Sequence, residues 1–322
     1  MQISICLLIL LIIVIIIILS IYRSLNDDRF IIIDKTNRDH RYNNMLKRFE
    51  KHMRNWYALG NDSFTLDHGE RYFKFFERMG NPHMIAHLNS NNNNDEENID
   101  ATSCGILRNI KLDDNFRNKK KSIHIGRTRI HRCWYICDLK VDKSARNNWL
   151  PYKMMWKMMH LRSLSNKGYC VSMNTIGEEN KVVRLSKRIS SPLVNFEYSG
   201  GILIYSLNYD EICRILPLIE RYKGPVFFVS LLGIKDIILK STQKPMKLLH
   251  MNLFKNIDNA VIDELLLPQE DFTHMFCFHE RDPIVKVLAE ENIHTDTTAS
   301  LIHCGMNSLK PIDWDFIQTS EI

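Results

Sequence analysis

Residues 139–153 read L-K-V-D-K-S-A-R-N-N-W-L-P-Y-K, which sets Lys140, Lys143, Arg146 and Lys153 around a short turn. An apolar strand over 133–141 runs into that turn, and a helix opens from Pro151. Amides of a strand-to-helix turn converge on one spot, and the helix dipole adds about half a positive charge there. The chemistry this offers is the binding of a pyrophosphate-bearing ligand. The competing reading is an ordinary crossover with solvated basic residues. Asp138 is the only carboxylate on the strand and reads, on its own, as a surface or capping aspartate. His131, Cys133 and Cys137, and His274, Cys277 and His279, lack paired C-x-x-C spacing and lie in strand-like runs. Alternate strand residues point to opposite faces, so no metal site is expected.

The elements that must position these groups alternate. Helices are expected over 67–79, from Pro151, over 180–188 and over 283–290. Strands are expected over 83–88, 104–110, 133–141, 169–174, 202–207, 226–232, 247–253, 274–278 and 300–304. A stretch over 210–222 reads as a helix interrupted at Pro217, because proline lacks an N–H and clashes with the preceding turn. Residues 34–59 carry Met45, Leu46, Phe49, Met53 and Trp56 at spacing that suits a short amphipathic helix. Met154, Met155, Met158 and Met159 read as a core face rather than a ligand site. Residues 116–121 form a basic loop, and Trp314 and Phe316 are expected to dock the tail. The whole is an α/β layered chain.

Apolar residues make up 45% and charged residues 25% of 322, which excludes wholesale disorder, collagen and coiled coil. The net charge of +6 is uneven: between Arg108 and Arg188 stand 20 Lys/Arg and 6 Asp/Glu. Such a module favours an anionic partner, or is simply a solvated surface. Nucleic acid is not expected, since the basic residues interleave with buried strands and no recognition motif accompanies them.

Residues 3–22 carry no charge, and 7–19 are unbroken Leu, Ile and Val. At 1.5 Å per residue such a run spans a ~30 Å hydrocarbon core. A cleaved signal would need a basic leader and a small-residue cleavage site, and neither is present. Arg23, Arg29, Lys35, Arg38 and Arg41 all follow the run, so the positive-inside rule places the bulk of the chain in the cytosol. Seven scattered cysteines beyond Cys6 read as reduced, buried thiols.

The central segment resembles the GNAT superfamily of acyl-CoA-dependent N-acetyltransferases. Leu139-Lys140-Val141 matches the end of that family's fourth strand, and Arg146 stands at the R/Q position of its R/Q-x-x-G-x-G/A turn. Trp149 replaces the first glycine and Pro151 the last small residue, which removes a close backbone approach and one N–H. Asn180, Val183 and Leu185 resemble the family's late-helix motif, and the likeness covers residues 61–198. It implies a mixed central sheet flanked by helices that splays after its fourth strand. It implies acetyl-CoA or another acyl-CoA as cofactor, held by Leu139, Val141, Arg146, Asn147, Asn148, Trp149 and Leu150, with Asp138 as candidate catalytic group. Tyr135 stands where one branch of the family has a glutamate, and Ser186 near the place of its tyrosine acid.

The organisation expected is therefore an anchor at 1–22, a juxtamembrane segment at 23–60, a GNAT-like domain at 61–198 and a C-terminal α/β region at 199–322. That last region is a second, degenerate copy of the same fold or a substrate-binding lobe. The function expected is membrane-anchored transfer of an acyl group from CoA to an amine on a small molecule or protein. The alternative is a GNAT-like scaffold that has lost the chemistry.

Overall fold

The computed structural model describes residues 29–89, 98–113, 128–148, 150–159, 164–175, 179–190, 195–255, 265–306, 309 and 312–322. The anchor at 1–22, the basic loop at 116–121 and Trp149 lie outside the described residues. Among the described residues no helix is long and apolar enough to cross a membrane.

The elements in chain order are β1 (Phe30–Ile33), α1 (His40–His52), β2 (Tyr57–Leu59), β3 (Asp62–Asp67), α2 (Tyr72–Glu77), β4 (Asn81–Asn89), β5 (Asn98–Asp113) and β6 (Thr128–Val141). A 3-10 helix (Lys143–Asn148) then leads into α3 (Leu150–Met159), followed by β7 (Gly168–Met173), α4 (Lys181–Ile189) and β8 (Phe196–Leu207). The rest is α5 (Tyr209–Lys223), β9 (Val226–Ser230), β10 (Asp236–Leu239), β11 (Leu248–Leu253), β12 (Thr273–His279), α6 (Pro283–Glu290) and β13 (Thr297–Cys304). Two short 3-10 turns, Trp314–Phe316 and Thr319–Glu321, close the chain.

Ten strands form one mixed sheet in the order β1-β4-β5-β6-β7-β13-β8-β12-β11-β9. The eight strands from β5 to β9 in that order are symmetric about the antiparallel β13–β8 pair, and β4 and β1 extend one side only. Outward on either side comes an antiparallel neighbour, β7 or β12. A parallel partner follows, β6 or β11, and then an antiparallel strand, β5 or β9. The connections obey the same symmetry: β7–α4–β8 on one side and β12–α6–β13 on the other. Each half thus hands its last strand across the middle. A small second sheet, β10-β3-β2, packs beside it.

Both parallel pairs are short. The β6–β7 ladder joins only Trp134–Ile136 to Gly168–Cys170, and β11–β12 only Leu248–His250 to Thr273–Met275. Beyond these rungs each pair parts. The second opening is filled by the chain's own tail, which leaves about 10 Å³ between Met251, Cys277, Trp314 and Ile317. Thr319 Oγ1 donates to the Met275 carbonyl at 3.0 Å and Ser320 Oγ to Asn252 Oδ1 at 2.8 Å, so both hydroxyls are paired where they are buried. The expected docking of the tail holds, with Phe316 at 3% exposure.

Local chemistry explains most element ends. Asn180 caps α4 by accepting from the amides of Val182 and Val183, and its Nδ2 donates to the carbonyls of Ser172 and Met173, tying the helix start to the end of β7. A capping box of Asn208 and Glu211 opens α5. The expected break at Pro217 is corrected: α5 runs through it from Tyr209 to Lys223. Proline forfeits one hydrogen bond, but buried Ile212, Ile215 and Ile219 hold the helix to the sheet. The helix expected over 67–79 shortens to Tyr72–Glu77, because β3 continues to Asp67 and a turn at Gly69 intervenes. All seven described cysteines are free thiols, and Cys213 is exposed rather than buried.

Candidate functional site

The opening between β6 and β7 is a cavity of about 230 Å³. Its walls are β6 residues 135–140, β7 residues 168–173, Met155 of α3 and Val182, Leu185 and Ser186 of α4. Its far end is closed by Glu321 and Ile322 of the tail. Most of the lining is apolar, and apart from Glu321 on the tail the charged groups gather at the β6 end.

A bulge makes that end. Opposite Thr102–Cys104 of β5, strand β6 advances three residues, Lys140 to Cys137, against two. Asp138 takes φ of +53°, a region non-glycine residues seldom enter. A bulge re-aims a side chain, and strain of this kind gathers at functional sites. The reading of Asp138 as a surface or capping residue is corrected: its side chain is 6% exposed and lines the cavity. It pairs with Lys140 at 2.7 Å and accepts from the Tyr72 hydroxyl at 2.5 Å. Lys140 also donates to Glu50 Oε1 at 3.0 Å, and Glu50 holds His68 Nδ1 at 2.5 Å.

Five side chains, from three elements and the turn after β3, therefore form one buried chain: His68, Glu50, Lys140, Asp138 and Tyr72. Burial opposes ionisation of Glu50, but His68 and Lys140 outweigh it and hold its carboxyl down at about 2. Burial likewise works against the Lys140 ammonium, yet Asp138 and Glu50 raise its pKa above the usual lysine value. Burial pushes the Tyr72 hydroxyl well above its ordinary pKa, so it remains a donor. The ring of His68 stacks on Phe76 with centroids 5.0 Å apart. A second lysine, Lys235, enters the same cavity from the turn between β9 and β10.

The Glu50 pairing has a measurable consequence. A carboxyl whose folded pKa lies below its unfolded value adds stability above the unfolded value and loses it as pH falls through the folded one. The contribution at neutral pH is about 3 kcal/mol at most. The melting-temperature gap between the native chain and Glu50→Gln should hold from pH 7 to 5 and close between about 4.5 and 2. Thermal denaturation across that range checks it, and a gap unchanged at pH 2.5 would contradict it.

The residues expected from sequence fall in three places. Asp138 and Leu139 line the cavity. Val141 and Leu150 are buried with Ala145 and Met154 in a cluster between α3 and the sheet. Arg146 is exposed and donates from Nε to the Val141 carbonyl at 3.1 Å. Asn147 and Asn148 belong to the 3-10 helix, whose i to i−3 bonds draw on the amides of the turn. A separate opening of about 410 Å³ beside that turn is lined by Arg29, His87, Asp100, Ser144, Leu150 and Lys153. Tyr135 stacks on Tyr169 at 5.0 Å, and Ser186 Oγ donates to the Val183 carbonyl at 2.8 Å. Among the described residues no group of three or more His, Cys, Asp or Glu is placed to hold a metal. Sequence reasoning missed Glu50, His68, Tyr72 and Lys235 as site residues. His68-Gly69, a polar pair ahead of an aromatic helix, was the one local signal among them.

No family model matches the chain. It is 25% identical over 265 residues to the Uncharacterized protein L340 of Acanthamoeba polyphaga mimivirus, an overlap of 78% of this chain and 68% of that one. Among solved structures it is similar to a GCN5-related N-acetyltransferase from Kribbella flavida, at 8% identity and a TM-score of 0.28, covering 68% of this chain. It is also similar to a conserved protein of unknown function from Enterococcus faecalis V583, described as a probable N-acyltransferase, at 8% identity and a TM-score of 0.31, covering 73% of this chain. The chain spans 59% and 64% of those two solved chains.

Proposed function

We propose that the chain is a GNAT-like N-acyltransferase that moves an acyl group from CoA to an amine, with the β6–β7 opening as its site. The observation that carries the reading is the end of the β6–β7 ladder at Ile136. Past that rung the β7-facing edge of β6 borders a cavity instead of a strand. Backbone donors and acceptors along such an edge suit the amides of an acyl-pantetheine, as a strand would pair. The residues fit the donor: Leu139, Met155, Val182 and Leu185 offer apolar wall, and Arg29 and Lys153 flank the neighbouring opening where phosphates would lie. The bound thioester supplies an activated carbonyl; the chain orients it and excludes water.

The C-terminal region, 199–322, reads as a degenerate second half of the same kind, which the symmetric strand order supports. Its own opening is occupied by the tail and leaves the first as the working site. Residues 1–22 would tether the enzyme to a membrane with the globular part toward the cytosol. The uncharged run and its one-sided basic flank support that placement. The acceptor is an amine on a small molecule or a protein.

The test is turnover of acetyl-CoA by the full chain against a panel of primary amines, with the amide product read by mass spectrometry. Product formed only in the presence of the chain is expected. Tight acetyl-CoA binding without product would instead favour the scaffold reading.

A further inference from the structure

Lys235 is the buried cation that the charge network does not explain. It lies where the chain turns after β9, with the amides of Ile234 and Lys235 both bonded to the Leu231 carbonyl at 2.8 and 2.9 Å. That turn is pressed against the residues leading into α2. A Cβ on Gly69, whose φ is +62°, would stand 2.2 Å from the Gly233 carbonyl oxygen. Only glycine admits so close an approach. The contact carries Lys235 into the cavity with Nζ 4.5 Å from the Phe75 ring centroid.

The other buried lysines show what a structural cation looks like here. Lys140 is held by Asp138 at 2.7 Å and Glu50 at 3.0 Å. Lys223 is held by Asp282 and by Asp315 at 2.8 Å. Among the described residues no carboxylate lies within ion-pair distance of Lys235, although it is only 6% exposed. The groups around it are Arg78 after α2, Cys137, Asp138 and Lys140 on β6, His250 on β11, and His68 across the cavity. Burial is the chief cause that brings its amine down to about 7; Cys137 and Asp138 pull upward, and Arg78 and Lys140 push downward. His68 is committed elsewhere, bonded to Glu50 and stacked among aromatic rings.

We propose that Lys235 Nζ is the proton acceptor for the amine substrate in the β6–β7 cavity. The proposal rests on the acyltransferase reading and deepens it. The neutral Lys235 amine takes one proton from the incoming ammonium and becomes an ammonium itself. The freed amine attacks the thioester carbonyl carbon, forming C–N and breaking C–S. The nitrogen sheds its second proton to the departing thiolate, giving amide and CoA thiol, and Lys235 returns its proton to water. A substrate already neutral in solution has no need of this step, so the site should favour alkyl amines, which are protonated at pH 7, over anilines.

Three readouts on the full chain test it. The first is competitive labelling with 1-fluoro-2,4-dinitrobenzene across pH, which should half-react Lys235 near 7; a midpoint above about 9.5 would overturn the proposal. The second is Lys235→Arg, which keeps the cation but cannot give up its proton at any working pH. It should lower kcat for alkyl amines at pH 7 by about a hundredfold or more and abolish the rise of rate through pH 7. Acetyl-CoA affinity by calorimetry should stay within about threefold. Retention of kcat would overturn this role alone. The third is the mass of Lys235 during turnover, which should stay unmodified; acylation of Lys235 would make it a nucleophile and overturn its role as base. A native chain that neither binds nor turns over acetyl-CoA would overturn the acyltransferase reading and this role together.

Discussion

Replacing Arg108 with methionine should lower the melting temperature of the chain by about 6 °C, at a cost of roughly 4 kcal/mol. Arg108 sits in β5 at 4% exposure, and its guanidinium grips Glu321 in a fork, Nη1 to Oε2 at 2.8 Å and Nη2 to Oε1 at 2.7 Å. Nη1 also donates to the Tyr169 hydroxyl at 2.8 Å. Removing one member of a buried pair leaves the other charged and dry, which costs more than the pair contributes. The pair also pins the tail, so Arg108→Met should loosen residues 312–322 and open the end of the cavity that Glu321 and Ile322 close. The double variant Arg108→Met, Glu321→Leu removes both charges and should recover most of the loss. Calorimetric melting of the three proteins decides it. A single variant within about 2 °C of the native chain would contradict the clamp.

Sequence patterning made the centre of the fold legible. In the run over 133–141 Cys133, Trp134, Tyr135 and Val141 are buried and the rest half-buried, and the structure places it between β5 and β7 as expected. Asn180, with apolar residues three and five positions on, marks the start of α4, and Asp282-Pro283 that of α6. Period and caps are local, so a sequence carries them openly. What stayed hidden is non-local. Strand β10 pairs with β3 across about 170 residues of chain, and nothing in Asp236–Leu239 names that partner. The bulge at Asp138 arises from a count mismatch between two strands, which neither strand shows alone. The charge network is assembled from residues 50, 68, 72, 138 and 140, and no local pattern joins the three stretches of chain that supply them. Lys235 follows the apolar strand VFFVS in a short turn, where a lysine would ordinarily read as solvent-facing.

Filling the cavity gives the second large effect. Val182 lies on the first turn of α4, half-buried, with its side chain on the cavity wall and outside the packed clusters of the core. Val182→Trp should leave the melting temperature within about 2 °C, because no core contact is lost. It should weaken acetyl-CoA by about a hundredfold, some 2.8 kcal/mol, because an indole and an acyl-pantetheine cannot share about 230 Å³. Leu267→Trp, at an exposed position after β11, is the matched control and should bind as the native chain does. Isothermal titration of acetyl-CoA into the three proteins reads the difference. Equal affinity for Val182→Trp would place the donor elsewhere.

Amide hydrogen exchange on the full chain, with and without saturating acetyl-CoA, tests the β6–β7 opening as the site most directly. Edge amides of β6 past Ile136 have no β7 partner in the free chain, so a donor paired along that edge adds protection there. Slowed exchange is predicted over residues 137–142 and 168–173 and at the start of α4, with β11 and β12 unchanged. Protection confined to the β11–β12 opening, or none at any amide, would contradict the assignment.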